Sequence, residues 1–417
     1  MKTAVVCTLL MGSALWGAET IVRFEPASPE VGPFPTNYLT VSDPAQKTQK
    51  RVNLPLPLLE CALPSSVCDD RKLLNELDGF SVNPRTRVCF SQPVDVNTLR
   101  DGVSLVALNN LVPEEPGAQQ ANARIAINQV FYEPVSNCAF AKPDQVLDQH
   151  RQYALVVTNA VRGADGTPLG INPAFQACSQ ATTDPGYCGE LARAVQGIRG
   201  AVTGSIVGGS VFTTMSATAW QQKAHAAVQS FPVISQPVAA NSVFRISDLA
   251  SIAWQPQMSA DPADKGSVEL PMMALAGVDR VAFGWYLAPN FLGPNLSIAA
   301  TPTALEIPAP TQTQIYFHVF LPGRRKPANG YPVAIYGHGL TDSRFGAPTS
   351  IASSLAQAGI ATIAISIFGH GHGPASTVAL RDKQGIETVL PAPGRGLPLT
   401  PGLTPLSPPR YGPADGC

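Results

Sequence analysis

The chain has 417 residues, a formal net charge of −1, 45% hydrophobic residues and only 14% charged ones. That balance supplies enough apolar sequence for two or three domains and excludes the basic, aromatic-studded surface that nucleic-acid binding requires. The 40 prolines and 35 glycines favour many turns and short strands over long helices.

Residues 1–18 read as a secretory signal peptide, with Lys2 as the positive n-region, residues 4–16 as the apolar h-region and Gly17 or Ala18 at the cleavage site. A buried first strand or helix is the competing reading. Cys7 lies inside the h-region, too early for a lipoprotein attachment site. No other run is long and apolar enough to span a membrane. Export to the periplasm, the cell surface or the medium would place the remaining seven cysteines in an oxidising compartment. Local spacing suggests bridges Cys61–Cys68 and Cys178–Cys188, with Cys89–Cys138 across the domain between them, although spacing alone leaves the connectivity open. Zinc is disfavoured, because no C-x-x-C and no histidine at ligand spacing accompanies these cysteines. Cys417 is left over, as if its partner lay further along a longer chain.

Residues 19–76 are proline-rich and irregular, and are expected to wrap or dock on a neighbour. Residues 77–214 read as an all-β module. Short β-prone runs at 87–90, 103–108, 125–132 and 153–158 are separated by turn signals at Asn83-Pro84, Asp101-Gly102 and Gly163-Ala164-Asp165-Gly166. This spacing predicts an immunoglobulin-like β-sandwich. A helix over 190–198 and a final strand over 210–214 complete it. Gly204, Gly208 and Gly209 lack the G-K-[ST] of a phosphate loop and read as a turn or bulge.

Ala217, Trp220, Ala224 and Ala227 have helical spacing, so 215–240 reads as a helical linker with His225 on its surface. From 241 to 389 the pattern changes. Runs at 280–286, 314–321, 333–336 and 360–367 read as strands, and 349–358 as a helix capped by Thr349 or Ser350 and stopped by Gly359. The last strand is apolar and β-branched, as a parallel strand covered on both faces should be. Residues 390–417 are too rich in proline and glycine for regular structure and read as a loop or disordered tail.

The chemistry-bearing pattern is Gly337-His338-Gly339-Leu340, directly after the strand at 333–336. Acyl-transfer hydrolases aim backbone N–H groups at the developing oxyanion, and one such group comes from the loop after the third strand of an α/β-hydrolase sheet. The N–H of Leu340 is the candidate donor. A second pattern, Phe368-Gly369-His370-Gly371, closes the next strand. Two G-H-G turns, each ending an apolar strand with a capped helix between, predict α/β-hydrolase topology. No G-x-S-x-G elbow follows. Ser343 and Ser366 lack the flanking glycines, and His338, His370 and His372 precede the point where the acid and base of this fold occur. They are read as loop-organising residues, with Asp342 ordering the same loop. No catalytic residue is therefore assigned, and no metal or organic cofactor. A sheet that ended at this strand would leave an apolar edge open.

The segments PFPTNYLT at 33–40, VNLPLP at 52–57, LNELDGFS at 74–81, RVCFSQPVDVNTL at 87–99, QYALVVTNAVRGADGTPL at 152–169 and VFTTMSAT at 211–218 together resemble the N-terminal domain of the bacterial virulence-factor lipase family. The resemblance extends over most of 19–373. It implies an immunoglobulin-like domain ahead of a serine-hydrolase domain that acts on lipid or other acyl esters, with Gly337, His338, Gly339 and Leu340 on the oxyanion loop. Ser366 departs from it, standing where the family often carries an acidic residue before the second turn. The expectation is an exported lipase- or esterase-like hydrolase represented by its N-terminal portion, inactive as given. The alternative is a non-catalytic binding or adhesion module that uses the β-domain to contact a cell-surface glycan or protein. A complete enzyme with an unrelated site has no dinucleotide, P-loop or metal pattern behind it.

Overall fold

The computed structural model describes residues 19–57, 61–62, 65–112, 117–293, 298, 307 and 309–396. The signal-like segment 1–18 and the tail from 397 to Cys417 lie outside the described residues. The chain is rich in β-sheet with a few helices. It divides into two compact units, one of 1–225 with 293–308 and one of 226–292 with 309–417.

The first unit is built on two antiparallel sheets. The smaller has the order β3 (Thr86–Cys89), β7 (Cys138–Pro143), β6 (Ile127–Glu133). The larger has the order β5 (Arg124–Ile125), β4 (Val103–Asn110), β8 (Arg151–Thr158), β9 (Ile206–Thr213). Strand β6 alternates between inward and outward residues along its length, the period-2 pattern of a strand with one covered face. Strands β8 and β9 are buried almost throughout, which requires cover on both faces. Val88, Phe90 and Ala141 from the smaller sheet pack against Leu105, Tyr153 and Phe212 from the larger in one core. Each large apolar side chain buried there contributes about 1.5–3 kcal/mol. The outer face of the larger sheet is covered by α3 (Pro173–Gln180) and α4 (Tyr187–Gly197), through Phe175, Leu191 and Ala194 against Val211.

The unit is therefore a two-sheet core with a helical layer added, where the sequence predicted a sandwich with one helix. Helix α3 was not anticipated, and α4 begins three residues before the predicted 190–198. The final strand starts at Ile206 rather than Ser210, because Gly208 and Gly209 belong to it. A Cβ on Gly208 would lie 2.6 Å from the Val22 side chain, and one on Gly209, at φ +152°, would lie 2.1 Å from the Leu155 carbonyl oxygen.

The proline-rich N-terminal stretch packs on the first unit, and it carries a hairpin and a helix where the sequence read as irregular. Val22 bridges Phe90 and Phe34 bridges Arg87 beside β3. Then β1 (Thr40–Ser42) and β2 (Lys50–Val52) form a hairpin, and α1 (Ser66–Leu74) follows. A short helix, α2 (Leu99–Gly102), leads into β4. Asp78 is fully buried and accepts from the backbone N–H of Ser216 at 2.7 Å and from the Ser216 hydroxyl. Three disulfides form, Cys61–Cys68, Cys89–Cys138 and Cys178–Cys188, in the pairing the spacing suggested. Cys89 and Cys138 sit opposite one another on adjacent strands of one sheet, so that bridge does not cross the domain. Three disulfides fit a periplasmic or extracellular setting. Among the described residues no helix is long and apolar enough to cross a membrane.

The boundary between the units falls within α5 (Ala219–Gln229), where His225 is exposed. The second unit has a mixed sheet of order β10 (Ser235–Pro237), β14 (Val278–Asn290), β15 (Thr311–Pro322), β17 (Ala361–Ile365), β16 (Val333–Tyr336), with β11 (Val243–Arg245) also pairing β14. The β14–β15 pair is a long antiparallel ribbon, β15 and β17 are antiparallel, and β16 and β17 are parallel. Between the parallel strands runs α6 (Ala347–Gln357). Strand β16 is the sheet edge, with Val333 60% and Ile335 81% exposed.

A second, antiparallel sheet was not anticipated: β13 (Val268–Glu269), β12 (Leu249–Gln255), β18 (Thr377–Asp382), β19 (Glu387–Pro391). Its residues Ile252, Trp254 and Leu380 share a core with Val281, Phe320, Ala352 and Ala356 of the mixed sheet and α6. Leu390, placed in the tail by composition, is buried in β19. The following residues stay tied to the unit through Gly394 N–H to Gly373 O and Arg395 N–H to His370 O.

Candidate functional site

Both G-H-G turns leave the carboxyl ends of the parallel strands β16 and β17, the position at which open α/β sheets bind ligands. His338 joins them. Its Nε2 accepts from the Ile367 backbone N–H at 2.9 Å, so Nδ1 carries the ring proton and donates to the Gly339 carbonyl at 3.0 Å. The ring is buried and meets the His370 ring at 5.1 Å. His338 thus acts as a pin between the loops, as the sequence suggested for it.

The Leu340 N–H donates to no acceptor among the described residues, and the Leu340 side chain is 75% exposed. A Cβ added to Gly337 or Gly339 would meet no described atom within 4 Å, and neither glycine has a left-handed φ. The left-handed residue in this loop is Thr341, at φ +64°. A β-branched residue there is strained, and such strain persists where the surroundings fix it. The second turn does use its glycines: Gly369 and Gly371 have φ of +81° and +78°. A Cβ on Gly371 would lie 2.6 Å from the Ser366 hydroxyl.

Asp342 orders the first loop by accepting from the Ser343 N–H at 2.7 Å and the Ala347 N–H at 3.0 Å, which also caps α6. The N-cap position is Gly346, not Thr349 or Ser350. Thr349 lies within the first turn of the helix, and its hydroxyl donates to the Phe345 carbonyl. Gly359, at φ +79°, ends the helix as expected. Ser343 is buried and accepts from the Phe345 N–H.

Arg344 was missed by the sequence reading. It is buried, it packs over the Phe345 ring at 4.8 Å, and it donates to the Ser366 hydroxyl at 3.4 Å and the Pro393 carbonyl at 3.0 Å. No carboxylate pairs with it among the described residues, and burial pushes its pKa down to about 9. Ser366, the departure from the resembled pattern, is therefore the residue facing this guanidinium. The only sequence signal was an arginine seven residues after Gly337 with no acid beside the second turn.

Burial, then the neighbouring His338, holds the His370 pKa below its usual value, against a smaller opposing effect from Asp342. Burial also lowers that of His372, whose ring meets Trp254 at 5.3 Å. None of the three histidines has a serine hydroxyl or carboxylate hydrogen-bonded to its ring among the described residues. No group of three metal-ligating side chains occurs among them either.

No protein-family profile matches the chain, and no curated protein matches it. One solved structure that does match is the N-terminal part of the bacterial S-layer protein SbsC, at 14% identity, a TM-score of 0.16 and 24% coverage of each chain. The chain thus spans about a quarter of that structure, and the likeness carries no functional argument.

Proposed function

We propose that the second unit is the opening part of an α/β-hydrolase domain of the lipase/esterase class, and that Leu340 supplies one N–H of its oxyanion hole. In this reading the first unit is an immunoglobulin-like accessory domain of an exported protein of the virulence-factor lipase kind. The observation that carries it is the unpartnered Leu340 N–H, held beside a strained Thr341 at the carboxyl end of β16. A donor aimed at transition-state charge must be fixed in place without being spent on a protein acceptor. The space over Gly337 and Gly339 supports the same reading, since a substrate carbonyl needs close access to the backbone. The strand order supports it as well: an antiparallel ribbon leads into the parallel pair β17 and β16 with α6 as the crossover.

The reaction of such a site is ester hydrolysis through an acyl-serine. The residues of this chain would contribute to stabilising the tetrahedral oxyanion and to holding the two loops together. The serine and the second N–H donor would come from a G-x-S-x-G elbow, which does not occur in the sequence up to Cys417, and the base from a histidine that follows the elbow in this fold. Purified chain is therefore expected neither to turn over p-nitrophenyl butyrate nor to label with a fluorophosphonate. Stoichiometric labelling of any serine in this chain would overturn the assignment.

A further inference from the structure

The first unit holds a cleft of about 1000 Å³, lined by the β1–β2 hairpin, the end of β4 and the start of α4. It is lined by Glu190, on which three side chains from separate parts of the chain converge. Its carboxylate accepts from Asn37 Nδ2 at 2.7 Å and from Gln152 Nε2 at 2.5 Å, and pairs with Lys50 Nζ at 3.5 Å. The ion pair cancels its own charge, which leaves Arg193, exposed on the cleft wall with no carboxylate partner among the described residues, as the one uncompensated charge of the lining.

Apart from that arginine, the accessible polar lining is amide-rich. Gln49, Asn109 and Asn122 line the cleft, are exposed, and make no side-chain hydrogen bond among the described residues. Gln49 and Asn122 come from different loops, and both hold left-handed backbone, at φ +59° and +64°. Non-glycine residues in that region are uncommon and gather at ligand sites. Beside them stands Tyr38, 48% exposed, with its ring braced edge-on against Tyr187 at 5.5 Å.

Carboxamides present donors and acceptors together, the pairing that hydroxyl groups use, and a braced tyrosine offers a flat apolar face. Hydroxyl edges alternating with C–H faces are the chemistry of a sugar ring. The volume lies at the upper end of small-molecule sites, enough for several linked rings. We propose that this cleft binds a neutral oligosaccharide. No sequence motif marks it, because its residues are scattered from Asn37 to Arg193. The inference does not depend on the hydrolase reading of the second unit.

The test is calorimetric titration of the full chain with chitotetraose, cellotetraose, maltotetraose and mannotetraose. At least one should bind with a Kd of about 1 mM or tighter. Tyr38→Ala and Asn109→Ala, each with an unchanged circular-dichroism spectrum and Tm, should weaken that binding about tenfold or more, the loss expected when about 1.4 kcal/mol of contact is removed. The exposed Asn109 side chain makes no hydrogen bond among the described residues, so its variant serves even if Tyr38→Ala unfolds. Phe131→Ala, on an exposed ring of the smaller sheet, should bind like the parent. The proposal is overturned if none of the four sugars binds, or if binding survives both cleft variants. It is equally overturned if Phe131→Ala abolishes binding, or if inorganic phosphate or a heparin fragment binds where the neutral sugars do not.

Discussion

Arg344 brings a positive charge into the interior of the second unit, where among the described residues its side chain finds only a hydroxyl and a carbonyl, with its Nε unpartnered. A buried charge without a counter-ion is costly, whereas a hydrogen bond between charged groups contributes about 1.5–3 kcal/mol. Ser366→Asp would place a carboxylate against that guanidinium, and it is expected to raise stability by about 1–2 kcal/mol in urea denaturation at pH 7. An unchanged midpoint would show that the serine and carbonyl already satisfy the arginine. Nearby, His318 is buried among Phe283, Phe320 and Phe345, with neither ring nitrogen hydrogen-bonded among the described residues. Burial first, and Arg344 second, hold its pKa down to about 3, against an ordinary 6.5. The unfolded chain therefore binds this proton more readily than the folded one. The contribution of the neutral ring is complete above pH 6.5 and is lost as pH falls from 6.5 towards 3. Urea midpoints measured at pH 7.5 and 5 should show that loss in the parent, and His318→Leu should flatten it.

At the level of elements, those that carry their own local chemistry were legible in the sequence. Strand β16, helix α6 and strand β17 appear where apolar runs and a terminal glycine placed them. The helix start was misjudged because two hydroxyl residues looked like caps, while the working cap comes from Asp342, four residues before Gly346. A Cβ on Gly346 would lie 1.7 Å from the Asp342 Oδ1, so this turn is built around the carboxylate. Asp342→Ala should cost about 1 kcal/mol, the usual loss of a helix cap, with Asp342→Asn intermediate. Thermal unfolding of both variants measures this, and equal Tm values for parent and alanine variant would remove the carboxylate from the cap. The antiparallel sheet of β12, β13, β18 and β19 was less legible, since its pairing joins residues over a hundred positions apart, such as Ile252 and Leu380. The β18–β19 hairpin did leave a local signal, the β-prone runs TVAL and ETVL around a turn that ends in Gly385 at φ +87°.

For the whole molecule, the cysteines show how far spacing can reach. It suggested the three pairs, but not that Cys89–Cys138 would join neighbouring strands, because register is a tertiary property. The cleft around Glu190 was illegible for the same reason: Asn37, Lys50, Gln152 and Glu190 meet only once the hairpin, the larger sheet and α4 have packed. All three disulfides lie in the first unit, and none occurs among the described residues of the second. If the units unfold independently, calorimetry should resolve two transitions, and dithiothreitol should lower only one of them. A bridge stabilises chiefly by restricting the unfolded chain, more so for a longer loop. The separations of 49 and 10 residues then correspond to about 4 and about 3 kcal/mol. The paired variant Cys89→Ala/Cys138→Ala should therefore depress the sensitive transition more than Cys178→Ala/Cys188→Ala does. The reverse order would mean that the α3–α4 bridge acts mainly on the folded state, by pinning the two helices of the layer to each other. A reductant that moved both transitions together would show that the two units unfold as one cooperative block.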